Sequence, residues 1–160
     1  MDDQGWIEKI RGYIDLGMLE EAWKEIGLLP SEKRSSAIAQ EMRIIIELDR
    51  SHIEEALALS EILADLHPDN PAGFIQGAYC LHALGRTKEA IEHLQSGPLC
   101  LQNEPVYFYN LGCYELALGK PQAALSWLQQ SFAMDPRFKQ RALGDPDLDD
   151  LRTLIAGFES

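Results

Sequence analysis

Four alanines recur along this chain at a constant interval, and that interval restricts the fold more than any other feature. Each closes a short phrase that begins with glycine or serine, and each is followed by a large apolar residue. The alanines are Ala22, Ala56, Ala90 and Ala124, and each follows the previous one by the same thirty-four positions. A period of this length predicts a stack of similar structural units.

The apolar residues on both sides of each phrase have helical spacing. Trp6, Ile10 and Ile14, for example, recur four residues apart before the first break, as on one face of a helix. Glycine accepts the left-handed conformation of a tight helix end and occupies three of the four breaks. These glycines are Gly17, Gly85 and Gly119. Each unit is therefore predicted to be a helix, a tight turn and a second helix.

The alanines have a mechanical reason in such a hairpin. Two antiparallel helices about 8–10 Å apart need a small side chain where they cross most closely. A leucine at the crossing would overpack it by roughly 1–3 kcal/mol.

The fourth unit shows a known repeat pattern most clearly. Its elements are Asn110-Leu111-Gly112, Leu118-Gly119, Ala124-Leu125 and Asp135-Pro136. This pattern resembles the tetratricopeptide-repeat (TPR) family, over about residues 3–136. The resemblance implies an all-α fold, a right-handed superhelical solenoid of about four helix-turn-helix repeats in one domain over 1–160. The expected repeats are 3–36, 37–70, 71–104 and 105–138.

The earlier repeats depart from the family pattern at several positions. Ser51 replaces the turn glycine of the second repeat, and Gln40 stands where the family prefers a bulky residue. The first and third repeats lack the closing proline, with Pro30 and Pro98 placed earlier instead.

The segment 139–160 is expected to cap the last repeat. A short helix ending at Gly144 is followed by an N-cap at Asp145-Pro146-Asp147 and then by an amphipathic helix. The apolar positions of that helix are Leu148, Leu151, Leu154, Ile155 and Phe158. Solenoid ends require such a cover. The alternative is a mobile tail that occupies the binding groove or docks on a partner.

The first helix of each repeat is expected to line a concave groove, here called the inner face. Alignment of the repeats by their alanines places mostly apolar residues there, which indicates a binding surface. Tyr79, Tyr109 and Asn110 are the best contact candidates, because tyrosine and asparagine combine contact area with hydrogen bonding. The predicted groove residues are Ile7, Arg11, Met42, Ile45, Ile75, Gln76, Tyr79, His82, Tyr109, Asn110 and Cys113.

The chemistry of the groove favours an apolar ligand. One TPR subgroup grips the C-terminal carboxylate of chaperones with a clamp of cations and amides. The positions that correspond to it are Ile7, Arg11, Met42, Ala72 and Gln76, so the cationic half is largely missing. We expect an extended or helical apolar segment instead.

Charge and composition exclude several ligand classes. The formal net charge of −12 repels phosphate backbones and anionic membranes, so neither nucleic acid nor membrane is an expected partner. The N-terminus shows no pattern of a secretory signal, and no apolar run approaches the ~18 residues that span a bilayer. Cys80, Cys100 and Cys113 form no CxxC pair. Reduced thiols and a cytoplasmic location are the prediction.

No pattern of a catalytic, metal or cofactor site is visible in the sequence. The histidines form no HExxH motif or His-x3-His pair, and the chain has no phosphate-binding loop and no GxSxG motif. The acidic pairs Glu20-Glu21 and Glu54-Glu55 lie in first turns of helices, where carboxylates favour the dipole. We therefore predict no enzyme, no metal and no cofactor.

The sequence thus predicts an adaptor or scaffold that binds a peptide or protein segment on its inner face. Two alternatives stay open: a small acidic secretion-type chaperone for an apolar export segment, and a self-associating structural subunit. Monomer and homodimer are both compatible with the sequence.

Overall fold

A computed structural model describes residues 2–159 of the chain. These residues form helices joined by short turns, with no strand among them. The α-helices are α1 (Asp3–Asp15), α2 (Leu19–Leu28), α3 (Ser31–Arg34), α4 (Ala37–Asp49), α5 (Ile53–Leu66), α6 (Ala72–Ala83), α7 (Thr87–Gln95), α8 (Pro105–Ala117), α9 (Pro121–Met134), α10 (Arg137–Leu143) and α11 (Arg152–Ala156). Two 3-10 helices span Leu99–Asn103 and Pro146–Leu151. The predicted all-α repeat fold is confirmed.

The repeat is visible in where the second helices begin. Helices α2, α5, α7 and α9 start at Leu19, Ile53, Thr87 and Pro121, which keep the spacing of the four alanines. The alanines lie in these helices and have no exposed surface. Ala22 packs with Trp6 and Ile10 of α1, as a close helix crossing requires.

The chain divides into two compact units, the first ending at Cys80 and the second beginning at Leu81. The core of the first unit joins α1, α2 and α4 through Trp6, Ile10, Ala22, Ile26, Ala39, Met42 and Ile46. The core of the second joins α8 and α9 to the C-terminal segment through Tyr109, Ala124, Leu128, Phe132, Ala142, Leu148, Leu151 and Ile155. The single domain over 1–160 and its repeat boundaries stay predictions.

The predicted departure at Gln40 has a local structural role. The Gln40 side chain is buried and donates to the Arg34 carbonyl oxygen at 2.7 Å. The bond ties the start of α4 to α3, a one-turn helix that the sequence analysis did not predict. An amide at this position therefore satisfies a backbone oxygen where a bulky apolar residue would leave it unpaired.

The C-terminal segment differs from the single amphipathic helix expected. It forms the 3-10 helix Pro146–Leu151 and then α11. A 3-10 helix repeats every three residues, so Leu148 and Leu151 point the same way, and Ile155 follows one α-turn later. These three are buried, whereas Leu154, expected on the same face, is 53% exposed.

No helix within residues 2–159 combines the length and the apolar composition needed to cross a bilayer.

The close approach of α6 to α5 gives a first prediction. A Cβ at Gly73 would lie 2.6 Å from the Ala64 backbone nitrogen and 2.9 Å from the Ser60 carbonyl oxygen. Since backbone atoms cannot yield locally, Gly73→Ala should lower the free energy of unfolding by about 2–3 kcal/mol. Urea denaturation measures this loss.

Gly12 in α1 is the matched control, because nothing lies within 4 Å of a Cβ built there. Gly12→Ala should raise the free energy of unfolding by about 0.5–1 kcal/mol, through the lower helix propensity of glycine. Equal effects of the two substitutions would contradict the predicted close approach at Gly73.

A second prediction concerns the turn between α4 and α5. Ser51 adopts φ 63°, in the same left-handed region as Gly17 at 74°, Gly85 at 80° and Gly119 at 76°. A side chain in this region is strained, so Ser51→Gly should raise the free energy of unfolding by about 0.5–1 kcal/mol.

The control is Ser126, an exposed serine inside α9. Ser126→Gly should lower the free energy of unfolding by about 0.5 kcal/mol, because glycine is a poor helix former. In thermal unfolding, Ser51→Gly should raise the Tm and Ser126→Gly should lower it. A lower Tm for Ser51→Gly would show that Ser51 is not strained.

Candidate functional site

A cleft opens between α1 and α4 on the inner face of the first unit. Its volume is about 220 Å³, and it is lined by Arg11, Ile14, Asp15, Ile38, Glu41, Met42 and Ile45. Three of these residues, Arg11, Met42 and Ile45, were predicted to line the groove. The structure therefore brings together inner-face residues of the first and second hairpins.

The floor of this cleft is apolar. Ile14, Ile38 and Ile45 are half-buried, with part of each side chain open to solvent. Met42 was predicted as a contact residue, but it is only 2% exposed because it belongs to the core of the unit. It closes the cleft from below and offers little surface to a ligand.

The rim of the cleft carries two carboxylates and one guanidinium. Burial raises the pKa of Glu41, and the nearby charge of Arg11 acts in the opposite direction. Within residues 2–159 the Glu41 carboxylate makes no hydrogen bond and no salt bridge shorter than 4.0 Å, so Arg11 acts on it without direct contact. Glu41 is therefore a partly buried carboxylate that can still accept a hydrogen bond from a cationic partner.

A second cleft adjoins the first and shares Ile38 with it. Its volume is about 470 Å³, and it is lined by Asp3, Trp6, Ile7, Glu32, Lys33, Ser36 and Ile38. Ile7 was predicted, whereas Glu32 and Lys33 were missed because they belong to α3. Pro30, followed by polar Ser31 and Glu32, was the only sequence signal for this short helix. Lys33 pairs with Asp3 at 2.9 Å and lowers the pKa of that carboxyl.

The predicted residues of α6 that belong to the first unit remain accessible. Ile75 and Gln76 are half-buried, and Tyr79 is 49% exposed. Tyr79 lies one helical turn after Ile75. Their role as contacts stays a prediction.

In the second unit the prediction for Tyr109 is wrong. Its side chain is 1% exposed, and its hydroxyl donates to Asp145 Oδ2 at 2.6 Å. The ring lies 5.5 Å from that of Phe138, and the Arg141 guanidinium stands 4.7 Å from its centroid. Burial and the Asp145 carboxylate raise the pKa of Tyr109. The C-terminal segment thus occupies the position expected for a ligand.

Cys113 and His82 have internal partners in the same region. Cys113 packs against the core formed with the C-terminal segment, and burial raises its thiol pKa to about 12. The His82 ring lies 4.8 Å from that of Tyr114, and its Nδ1 is 3.0 Å from Thr87 Oγ1. Burial lowers the pKa of His82, and Asp147 acts against that.

Asn110 is half-buried, and its contact role stays a prediction.

Among residues 2–159, one cluster outside the inner face has the composition of a metal site. Glu47, His52 and Glu55 place possible ligand atoms within 4.8 Å of one another. The buried Glu47 carboxylate already accepts from Arg50 at 2.7 Å and lies 2.9 Å from His52 Nδ1. These ion pairs account for the cluster without a metal.

The contact between Tyr109 and Asp145 gives a third prediction. Tyr109→Phe removes the hydroxyl that donates to Asp145 Oδ2, so it should lower the free energy of unfolding by about 1–2 kcal/mol. The exposed Tyr79 is the matched control, and Tyr79→Phe should change stability by less than about 0.5 kcal/mol. Equal, small effects in chemical denaturation would show that the buried bond adds no stability.

Comparison with known proteins adds evidence on the fold. No known family model and no curated protein matches the sequence. Among solved structures, Pseudomonas aeruginosa pilF superposes with a TM-score of 0.75 at 20% identity, over 94% of this chain and 68% of that one. TTC0263, a thermophilic TPR protein of Thermus thermophilus, gives 0.72 at 16% identity, over 99% and 83%.

These identities are low, so the likeness concerns the fold. Together with hairpins that repeat at a constant period around buried alanines, it makes this chain a helical-repeat protein with the tetratricopeptide-repeat fold.

Proposed function

We propose that this chain is a non-enzymatic adaptor that binds an apolar segment of another protein on the inner face of its first unit. The observation that carries the proposal is the cleft between α1 and α4, with its floor of half-buried aliphatic side chains. An aliphatic side chain that stays partly exposed contributes less to folding than a buried one, so the stripe is better explained by a ligand.

The size of the cleft suits a side chain of the partner. A cavity of about 150 Å³ is enough for a benzene-sized group, so about 220 Å³ takes one large apolar side chain. The second cleft, at Ile7 and Ile38, offers room for another side chain of the same segment. Tyr79, on a neighbouring inner-face helix by sequence register, supplies aromatic contact area at a low entropic cost.

The fourth prediction tests this face directly. Ile45→Asp places a charge in the cleft floor and should weaken partner binding by about tenfold or more, since a desolvated carboxylate opposes an apolar side chain. The matched control is Ile62→Asp. Ile62 is an exposed isoleucine on α5 of the same unit, and it lines neither of the two clefts.

The measurement is affinity capture with each variant, followed by titration calorimetry with the captured partner. Circular dichroism confirms that both variants remain folded. The proposal predicts loss of the partner with Ile45→Asp and retention with Ile62→Asp. Retention of the same partner, at unchanged affinity, by a folded Ile45→Asp variant would rule out this face.

A further inference from the structure

We infer that the segment bound in the α1–α4 cleft is cationic, with a lysine or arginine placed beside its apolar anchor. The inference rests on the proposed function and specifies the partner of that same site. It starts from the balance of charges around the two adjoining clefts.

The two clefts are lined by more carboxylates than cations. The carboxylates are Asp3, Asp15, Glu32 and Glu41, and the cations are Arg11 and Lys33. Lys33 is already paired with Asp3 at 2.9 Å, which leaves Arg11 to face the other three carboxylates. A ligand with a positive charge therefore meets a complementary field, and an anionic ligand is repelled.

Glu41 indicates where the positive charge of the ligand should lie. Its carboxylate is half-buried at the edge of the apolar floor, and burial raises its pKa despite the charge of Arg11. A cation arriving with the ligand would stabilise the ionised carboxylate at a place where water is partly excluded. The apolar anchor and the cation must then lie within about one helical turn of each other.

In the second unit, the position equivalent to Glu41 is covered by other residues of the same chain. Tyr109 stands two full repeats after Glu41 in the sequence. Phe138 of α10 packs an apolar ring near it, and Asp145 of the C-terminal segment is a polar partner that accepts a hydrogen bond from its hydroxyl. A carboxylate at this position would be satisfied in the corresponding way by an apolar group together with a positively charged donor.

The charge of the whole chain adds to this preference. The formal net charge of −12 steers cationic segments toward the surface and accelerates their association at low ionic strength. An affinity that depends on such a field falls as salt screens it, over a Debye length of about 10 Å at 0.1 M.

The fifth prediction uses three synthetic amphipathic peptides of about 15 residues, a length at which helical conformers are accessible. They share one leucine-rich face and differ only in the flanking residues, which are lysine, glutamine or glutamate. Fluorescence anisotropy with the full chain should show the lysine peptide binding about tenfold tighter than the glutamate peptide at low salt. The difference should shrink at about 0.5 M salt.

Three variants locate the effect. Glu41→Gln should remove most of the preference for lysine, because it deletes the half-buried charge without changing shape. Glu61→Gln, at an exposed carboxylate on α5, is the matched control and should leave the preference intact. Arg11→Gln should tighten binding of the lysine peptide by about two- to fivefold, since it removes the cation that competes for Glu41.

The outcomes separate this inference from the proposed function. If all three peptides bind equally, and Ile45→Asp abolishes that binding, the apolar cleft stands and the cationic partner is wrong. Tighter binding of the glutamate peptide, or weaker binding after Arg11→Gln, overturns the inference as well. If no peptide binds the wild type, the inference also fails, and the capture experiment with Ile45→Asp then decides the proposed function independently.

Discussion

The close crossing of two helices at a small side chain is the constraint on which the rest of this structure depends. Ala22, Ala56, Ala90 and Ala124 have no exposed surface. At one of these crossings a Cβ on Gly112 would lie 3.1 Å from the Ala124 carbonyl oxygen and 2.7 Å from Leu128 Cγ. Because the two helices touch at backbone distance, their separation and their rotation relative to each other are fixed. The directions in which the side chains of the first helix point are fixed with them.

The cleft of the first unit is a consequence of that geometry. Ile14 and Ile38 pack one side against the core, and their other side forms the apolar lining. Glu41 lies among these aliphatic residues, where partial burial costs free energy and gives the core nothing in return. The nearby charge of Arg11 offsets part of that cost. Titratable groups perturbed in this way concentrate at functional sites, which supports the proposed cationic ligand.

The sequence predicted what local packing determines and missed what long-range contacts determine. The alanine period is visible in the sequence itself and predicts contacts between the two helices of each hairpin, and the left-handed turn at Ser51 follows from the same register. Tyr109 looked like a ligand contact because its partner, Asp145, lies 36 residues away in a segment whose path no periodicity reveals. Leu154 was misplaced for a similar reason: the change from 3-10 to α-helix at Leu151 shifts the buried face.

The two units therefore present equivalent inner-face positions under very different energetic conditions. A ligand that reaches Tyr109 must first displace the C-terminal segment and expose Leu148, Leu151 and Ile155, which are buried. Burial of each such side chain contributes about 1.5–3 kcal/mol, so displacement costs at least about 4 kcal/mol. That is roughly a thousandfold in affinity. The cleft between α1 and α4 carries no such cost, because its apolar floor is already open to solvent. That difference in free energy favours the proposed recognition on the first unit.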